Sequence, residues 1–160
     1  MKEIERRIKA RAEALAEWTK DARHALHRIP ERGFEEYKTH AYLKSKLDEI
    51  GIPYTTERTW IISTIEGGKP GKTVALRADI GARPIQEATG LPFASEHEGM
   101  MHAGGHDTHA AMRLGAATLL YEMRAEIPGT VRLLFQPAEE TTGGAEPMIA
   151  EGILENPKVE

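Results

Sequence analysis

The chain has 160 residues, enough for one domain with its own core, and combines 40% hydrophobic with 29% charged residues. Its net charge of -4 is spread over both signs with no basic block, which excludes the footprint of a nucleic-acid binder and disfavours anionic membrane surfaces. It has no cysteine, no run of about 18 apolar residues and a charged N-terminus, so it reads as cytoplasmic, without disulfides, membrane span or signal peptide.

Along the chain, Ile4, Ile8, Ala12, Leu15, Trp18, Ala22 and Ala25 recur in steps of three and four. That stripe predicts one helix of about six turns with one face on a core. Pro30 ends it. A second helix is predicted in FEEYKTHAYLKSKLDEIG, with Leu43, Leu47 and Ile50 on one side and Gly51 as its stop. The segments YTTERTWIISTIEG and KTVALRAD read as a strand pair separated by the turn GGKPGK. From Asp79 to about Gly105 no period is visible, and long irregular segments in compact domains are usually functional or disordered. Helical spacing returns at Met112, Ala116, Leu119 and Met123, TVRLLF reads as a buried strand, and AEPMIAEGIL as a last short helix. Helices alternating with buried strands imply an α/β fold, a layered sheet flanked by helices.

In such sheets ligands collect beyond the carboxyl ends of strands. Three polar clusters stand there: Asp79 after VALRA, the histidines before the third helix, and Glu139-Glu140 after TVRLLF. Four of the seven histidines (His97, His102, His106, His109) lie within thirteen residues. Neutral imidazole is a good ligand for divalent metals. A helix starting near Asp107 puts His106 at its entrance and His109 in its first turn. The plainer alternative is that Asp107 caps the helix and the histidines are polar loop residues. Two adjacent acids can divide the tasks of a hydrolytic metal site, one holding metal and one taking a proton from water. They read as simply as a solvated acidic loop before a helix. GGAEPM lacks the spacing and the Lys-Ser/Thr of a phosphate loop, and no serine lies in a GxSxG elbow.

Taken in order, LHRIPERGFEEYKTHAYL, ALRADIGARPIQEATGLPFAS, GMMHAGGHDTHAAMRLGAATLL and GTVRLLFQPAEETTGGAEPMIAEGILENP resemble the metal-dependent N-acyl-amino-acid amidohydrolases. That group includes aminoacylases, hippurate hydrolases and auxin-conjugate hydrolases, related to the di-metal carboxypeptidases. The resemblance implies residues 1–160 of a truncated di-metal peptidase-type catalytic domain, with the dimerisation domain and the C-terminal part of the catalytic domain absent. It implies a site for divalent zinc, manganese or cobalt that hydrolyses the amide of N-acyl amino acids or small peptides. Glu139 takes the general-base position, and His106 and Glu140 take metal-ligand positions.

The chain departs from the family pattern in ways that imply impaired turnover. Gly104 stands where a metal-binding cysteine is expected, Gly81 where a supporting aspartate is expected, and Arg83 where leucine is expected. Loss of such a supporting partner costs about 10–100-fold in metal affinity or activity. His106 and Glu140 alone fall short of the three or four ligands of a tight zinc site. The alternative reading is a catalytically silent, self-associating scaffold fragment of such a hydrolase, engineered or degenerated. An uncovered sheet edge is expected to drive homo-oligomer formation in either case.

Overall fold

The computed structural model describes residues 2–160. Three helices come first: α1 (Glu3–Ala14), α2 (Ala16–Arg28) and α3 (Tyr37–Ile50). The strands β1 (Tyr54–Glu57), β2 (Trp60–Glu66) and β3 (Lys69–Asp79) follow, then α4 (His106–Glu122), β4 (Pro128–Gln136) and α5 (Ala145–Ala150). The sheet runs β1-β2-β4-β3, with β3 and β4 parallel and the other two pairs antiparallel.

The α/β architecture expected from the sequence is present, as layers. Ile61 and Ile65 of β2 and Val131, Leu133 and Phe135 of β4 point to the face covered by α2, α3 and α4. There they meet Leu26, Leu43, Leu47 and Leu114, all with no exposed surface. The alternate residues Trp60, Ile62 and Leu134 turn to the other face, under Met148 of α5 and Ile153. A strand buried on both faces has no polar alternation, which is why TVRLLF reads as a continuous apolar run. Gly115 brings α4 close to α2, because a Cβ there would meet Thr19 Oγ1 at 2.8 Å. Gly51 closes α3 in the left-handed region with φ 86°.

Three sequence expectations change. The spacing of Met112, Ala116, Leu119 and Met123 does not mark the buried face of α4, which is formed by Ala110, Ala111, Leu114 and Ala117 while Met112 is 54% exposed. The N-terminal stripe is broken at Leu15 into two helices, and α1 buries none of its residues; Ile8 is 41% exposed. Its place against the end of α4 and the turn that follows is held instead by Arg11 on Glu122 and Arg7 on Glu126, each guanidinium making two bonds at 2.7–2.9 Å. The segment 54–66 is itself a hairpin, turning at Arg58 with φ 50°. GGKPGK is not the turn of a strand pair, because β3 begins at Lys69 and β4 lies between β2 and β3.

Residues 80–105 are irregular apart from a bridge in which Arg83 and Met101 exchange backbone hydrogen bonds of 3.0 Å. The segment is fastened to α2 by Phe93, which stacks on His24 with ring centroids 3.8 Å apart and lies under Arg23 at 4.9 Å. No helix among the described residues is long and apolar enough to cross a membrane.

Candidate metal and carboxylate site

The carboxyl ends of the parallel strands β3 and β4 and the first turn of α4 converge. Asp79 is the last residue of β3, Glu139 and Glu140 follow β4, and His106 opens α4. A helix N-terminus favours negative charge, so carboxylates gather there at reduced cost.

His106 is the centre. It is buried, and its Nδ1–H donates to the carbonyl of Gly81 at 2.7 Å. That bond selects the tautomer with a lone pair on Nε2. Nε2 then faces Asp79 Oδ2 at 3.5 Å, Glu139 Oε2 at 3.6 Å and Glu140 Oε1 at 3.9 Å. The ligand atoms of His106, Glu139 and Glu140 all lie within 4.8 Å of one another, as do those of Asp79, His106 and His109. The three residues singled out by the sequence therefore come together in space.

Asp79 and His109 complete the group. His109 Nδ1 donates to Asp79 Oδ1 at 2.7 Å, and Arg77 donates to Asp79 Oδ2 at 2.9 Å. Burial works to raise the Asp79 pKa, but the His109 hydrogen bond and the charges of His106, Arg77 and His109 outweigh it and hold it below the ordinary carboxylate value. His109 was recognisable only as one more histidine in the cluster. Its signal was the spacing of three from His106, which puts both rings on one face of α4, 5.7 Å apart.

Asp107 does not cap α4. The N-cap is Gly105 with φ 89°, and no side chain bonds there. Asp107 instead turns away from the cluster into a buried network: His27 Nδ1 donates to its Oδ2 at 2.7 Å and Arg23 lies 2.8 Å from the same oxygen. His102 is also buried beside this network, 6.3 Å from His27, with neither ring nitrogen hydrogen-bonded. His97 is tied elsewhere, to the carbonyl of Pro30 and to Lys38.

The donor set suits a divalent cation: one oriented imidazole and three carboxylates, without sulfur. A Cβ at Gly104 would lie 3.1 Å from Glu140 Oε1 and 3.8 Å from His106 Nε2, so position 104 points into the cluster but offers no donor. Arg83 Nε stands 3.5 Å from Glu140 Oε2. Glu139 is the more open of the two acids, 42% exposed against 22% for Glu140.

Residues 75–160 match the model of peptidase family M20/M25/M40. Over 135 residues the chain is 50% identical to an N-acetyl-L-cysteine deacetylase of Bacillus subtilis (strain 168), covering 83% of this chain and 32% of that protein. It is 42% identical over 153 residues to thermostable carboxypeptidase 1 of Saccharolobus solfataricus, covering 92% of this chain and 39% of that enzyme. The chain thus spans about a third to two fifths of the length of these relatives. Among solved structures, a dinuclear metal-binding M20 peptidase of Bacillus subtilis superposes with a TM-score of 0.87 at 42% identity, over 92% of this chain and 42% of that one. The resemblance drawn from the motifs is borne out: the chain belongs to peptidase family M20/M25/M40.

Proposed function

We propose that this protein hydrolyses the amide bond of N-acyl amino acids or small peptides, using a divalent cation. The reading rests on one observation above all, the convergence of His106 Nε2, Glu139 and Glu140 within 4.8 Å. Relatives that act on N-acetylated amino acids, among them N-acetyldiaminopimelate deacetylases, point to the same substrate class. His106 and Glu140 would hold the metal, with Asp79 the nearest further carboxylate. The cation, when bound, supplies polarisation of the amide carbonyl and a lowered pKa for water. Glu139, more open to solvent, takes a proton from the attacking water and returns it to the departing amine nitrogen as the C–N bond breaks. A cytoplasmic location belongs to the same reading.

Loading the chain with zinc, manganese or cobalt, desalting it and measuring metal by mass spectrometry tests the ligand set. Retention of one or two equivalents is expected, with loss on His106→Ala or Glu140→Ala. Glu139→Gln is expected to keep the metal and to lose turnover by about 100-fold or more, the usual size of an acid–base contribution. Turnover that survives Glu139→Gln would remove it from the base position.

A second reading, a scaffold without turnover, is favoured by Gly104, which has no side chain to offer, and by the contact of Arg83 with Glu140. It predicts that no metal is retained. In both readings we propose self-association through β3, whose outer edge pairs with no strand among the described residues.

A further inference from the structure

Glu36 sits in the charged string GFEEYK, yet it has no exposed surface. It is the residue just before α3, far from the cluster in sequence. Its Oε2 accepts a hydrogen bond from Thr59 Oγ1 at 2.7 Å and its Oε1 accepts one from the Ala138 amide at 2.9 Å. A carboxylate buried without a cation is costly unless its acceptors are used, and here both oxygens are used.

What it bonds to matters more. Ala138 is buried in the left-handed region with φ 57°, an unfavourable conformation for a residue with a Cβ, and the next two residues are Glu139 and Glu140. The Ala138–Glu36 bond fixes that corner. The same Oε1 lies 3.1 Å from where a Cβ on residue 81 would stand, and the Gly81 carbonyl is the acceptor that orients His106. The neighbouring Ala82 amide donates to the carbonyl of Glu31, at 2.8 Å, so the turn carrying Glu36 and the loop carrying Gly81 are joined. One carboxylate oxygen therefore touches the backbone that presents the two acids and abuts the backbone that sets the histidine tautomer.

We propose that Glu36 is a positioning residue of the cluster, holding the corner at Ala138 against the loop at Gly81 and so fixing where Glu139, Glu140 and His106 stand relative to one another. The assignment rests on the reading of those three residues as the metal and base site. Burial raises the Glu36 pKa against the pull of its hydrogen bonds, which accords with a group kept for geometry rather than for charge. A Cβ at position 81 would stand in close contact with this carboxylate, so little slack lies between the two segments.

The test compares Glu36→Met with Thr59→Val in the whole 160-residue chain. Both remove the bond between Thr59 and residue 36, but only the first also takes the acceptor from the Ala138 amide. Cobalt(II) serves as probe, with affinity from calorimetry and ligand geometry from its visible absorption bands. Glu36→Met is expected to weaken cobalt binding by about 10–100-fold and to shift the bands, as loss of a supporting hydrogen bond behind metal ligands does. Thr59→Val is expected to lower the melting temperature while leaving affinity and bands alone. Equal effects of the two variants on affinity and bands would reduce Glu36 to a structural residue and overturn the proposal.

If the unmutated chain takes up no cobalt, the metal reading fails, and the positioning claim is read from hydrogen exchange. Glu36→Met should then speed exchange at residues 138–141 and alter the ring-proton signals of His106, and Thr59→Val should not; absence of that difference overturns it. If Glu36→Met does not fold, Glu36→Asp draws the carboxylate back from the Ala138 amide by one methylene without removing it, and the same changes in affinity, bands and exchange are expected. Native values in Glu36→Asp would overturn the proposal.

Discussion

Each buried or half-buried acid of the cluster already has a basic neighbour: Asp79 has Arg77 and His109, and Glu140 has Arg83. A divalent ion must draw Glu140 away from Arg83 and then tolerate a cation close by. Arg83→Leu is therefore expected to raise metal affinity about two- to fivefold, the weight of one half-exposed ion pair (~0.5–1 kcal/mol). Calorimetry at two salt concentrations checks it, and an unchanged or lower affinity would mean that Arg83 does not compete. His102 gives a second prediction. Burial pushes its imidazole down to about 4, so the unfolded chain takes up the proton first. Above about pH 7 the group is neutral in both states and costs nothing. As the pH falls from about 6.5 towards 4 the unfolded state is favoured, by on the order of 3 kcal/mol at the acid end. Urea melts at pH 7 and pH 4.5 should show a larger loss for the unmutated chain than for His102→Gln, and equal losses would assign the acid sensitivity elsewhere.

At the scale of elements, α1 stands apart because it is joined to the end of α4 and the turn that follows by ion pairs instead of apolar burial. Exposed pairs are screened by salt and buried leucines are not. Amide exchange in α1 is expected to quicken as salt is raised, while α2, anchored by Leu26, keeps its protection. Protection of α1 that does not respond to salt would point to packing. The same contrast shows what was legible in the sequence. α3 and β4 were readable because their period or apolar run reports burial directly, whereas α4 was readable as a helix but not in its orientation, since small alanines rather than methionines form its buried face. The break at Leu15 was not, since neither glycine nor proline marks it, and the hairpin at Arg58 was hidden because arginine is an unusual residue for a left-handed turn. The insertion of β4 between β2 and β3 is a matter of topology, which local patterns do not carry. In the site, His106, Glu139 and Glu140 were identifiable from adjacent polar letters and family resemblance. Glu36 was not, because its burial is created by Thr59 and Ala138, residues distant in the chain.

For the whole molecule, the asymmetry of the sheet matters most. β4 is covered on both faces and paired on both sides, whereas β3 has one open side and exposes 44% of Val74. A long unpaired edge is a template for another strand. Sedimentation of the chain is expected to show association that depends on concentration, and Val74→Lys is expected to shift it towards monomer. A chain that stays monomeric at high concentration would show that the edge is already protected, for instance by the tail, whose Glu160 amide donates to the Thr73 carbonyl.

The parallel pairing of β3 with β4 also ties ligand capture to folding. Asp79, His106 and the two glutamates sit on three stretches that meet only after the chain has gone out through residues 80–105, along α4 and back. Closing so large a loop is slow and entropically costly, and an unfolded chain has no preformed cluster to offer an ion. An ion that binds would recognise the finished fold alone, and at a hundredfold excess over its dissociation constant would stabilise it by about 2.7 kcal/mol. For a domain of this kind the cation would be part of the folding equilibrium as well as of the chemistry, and its supply would help set how much folded protein there is.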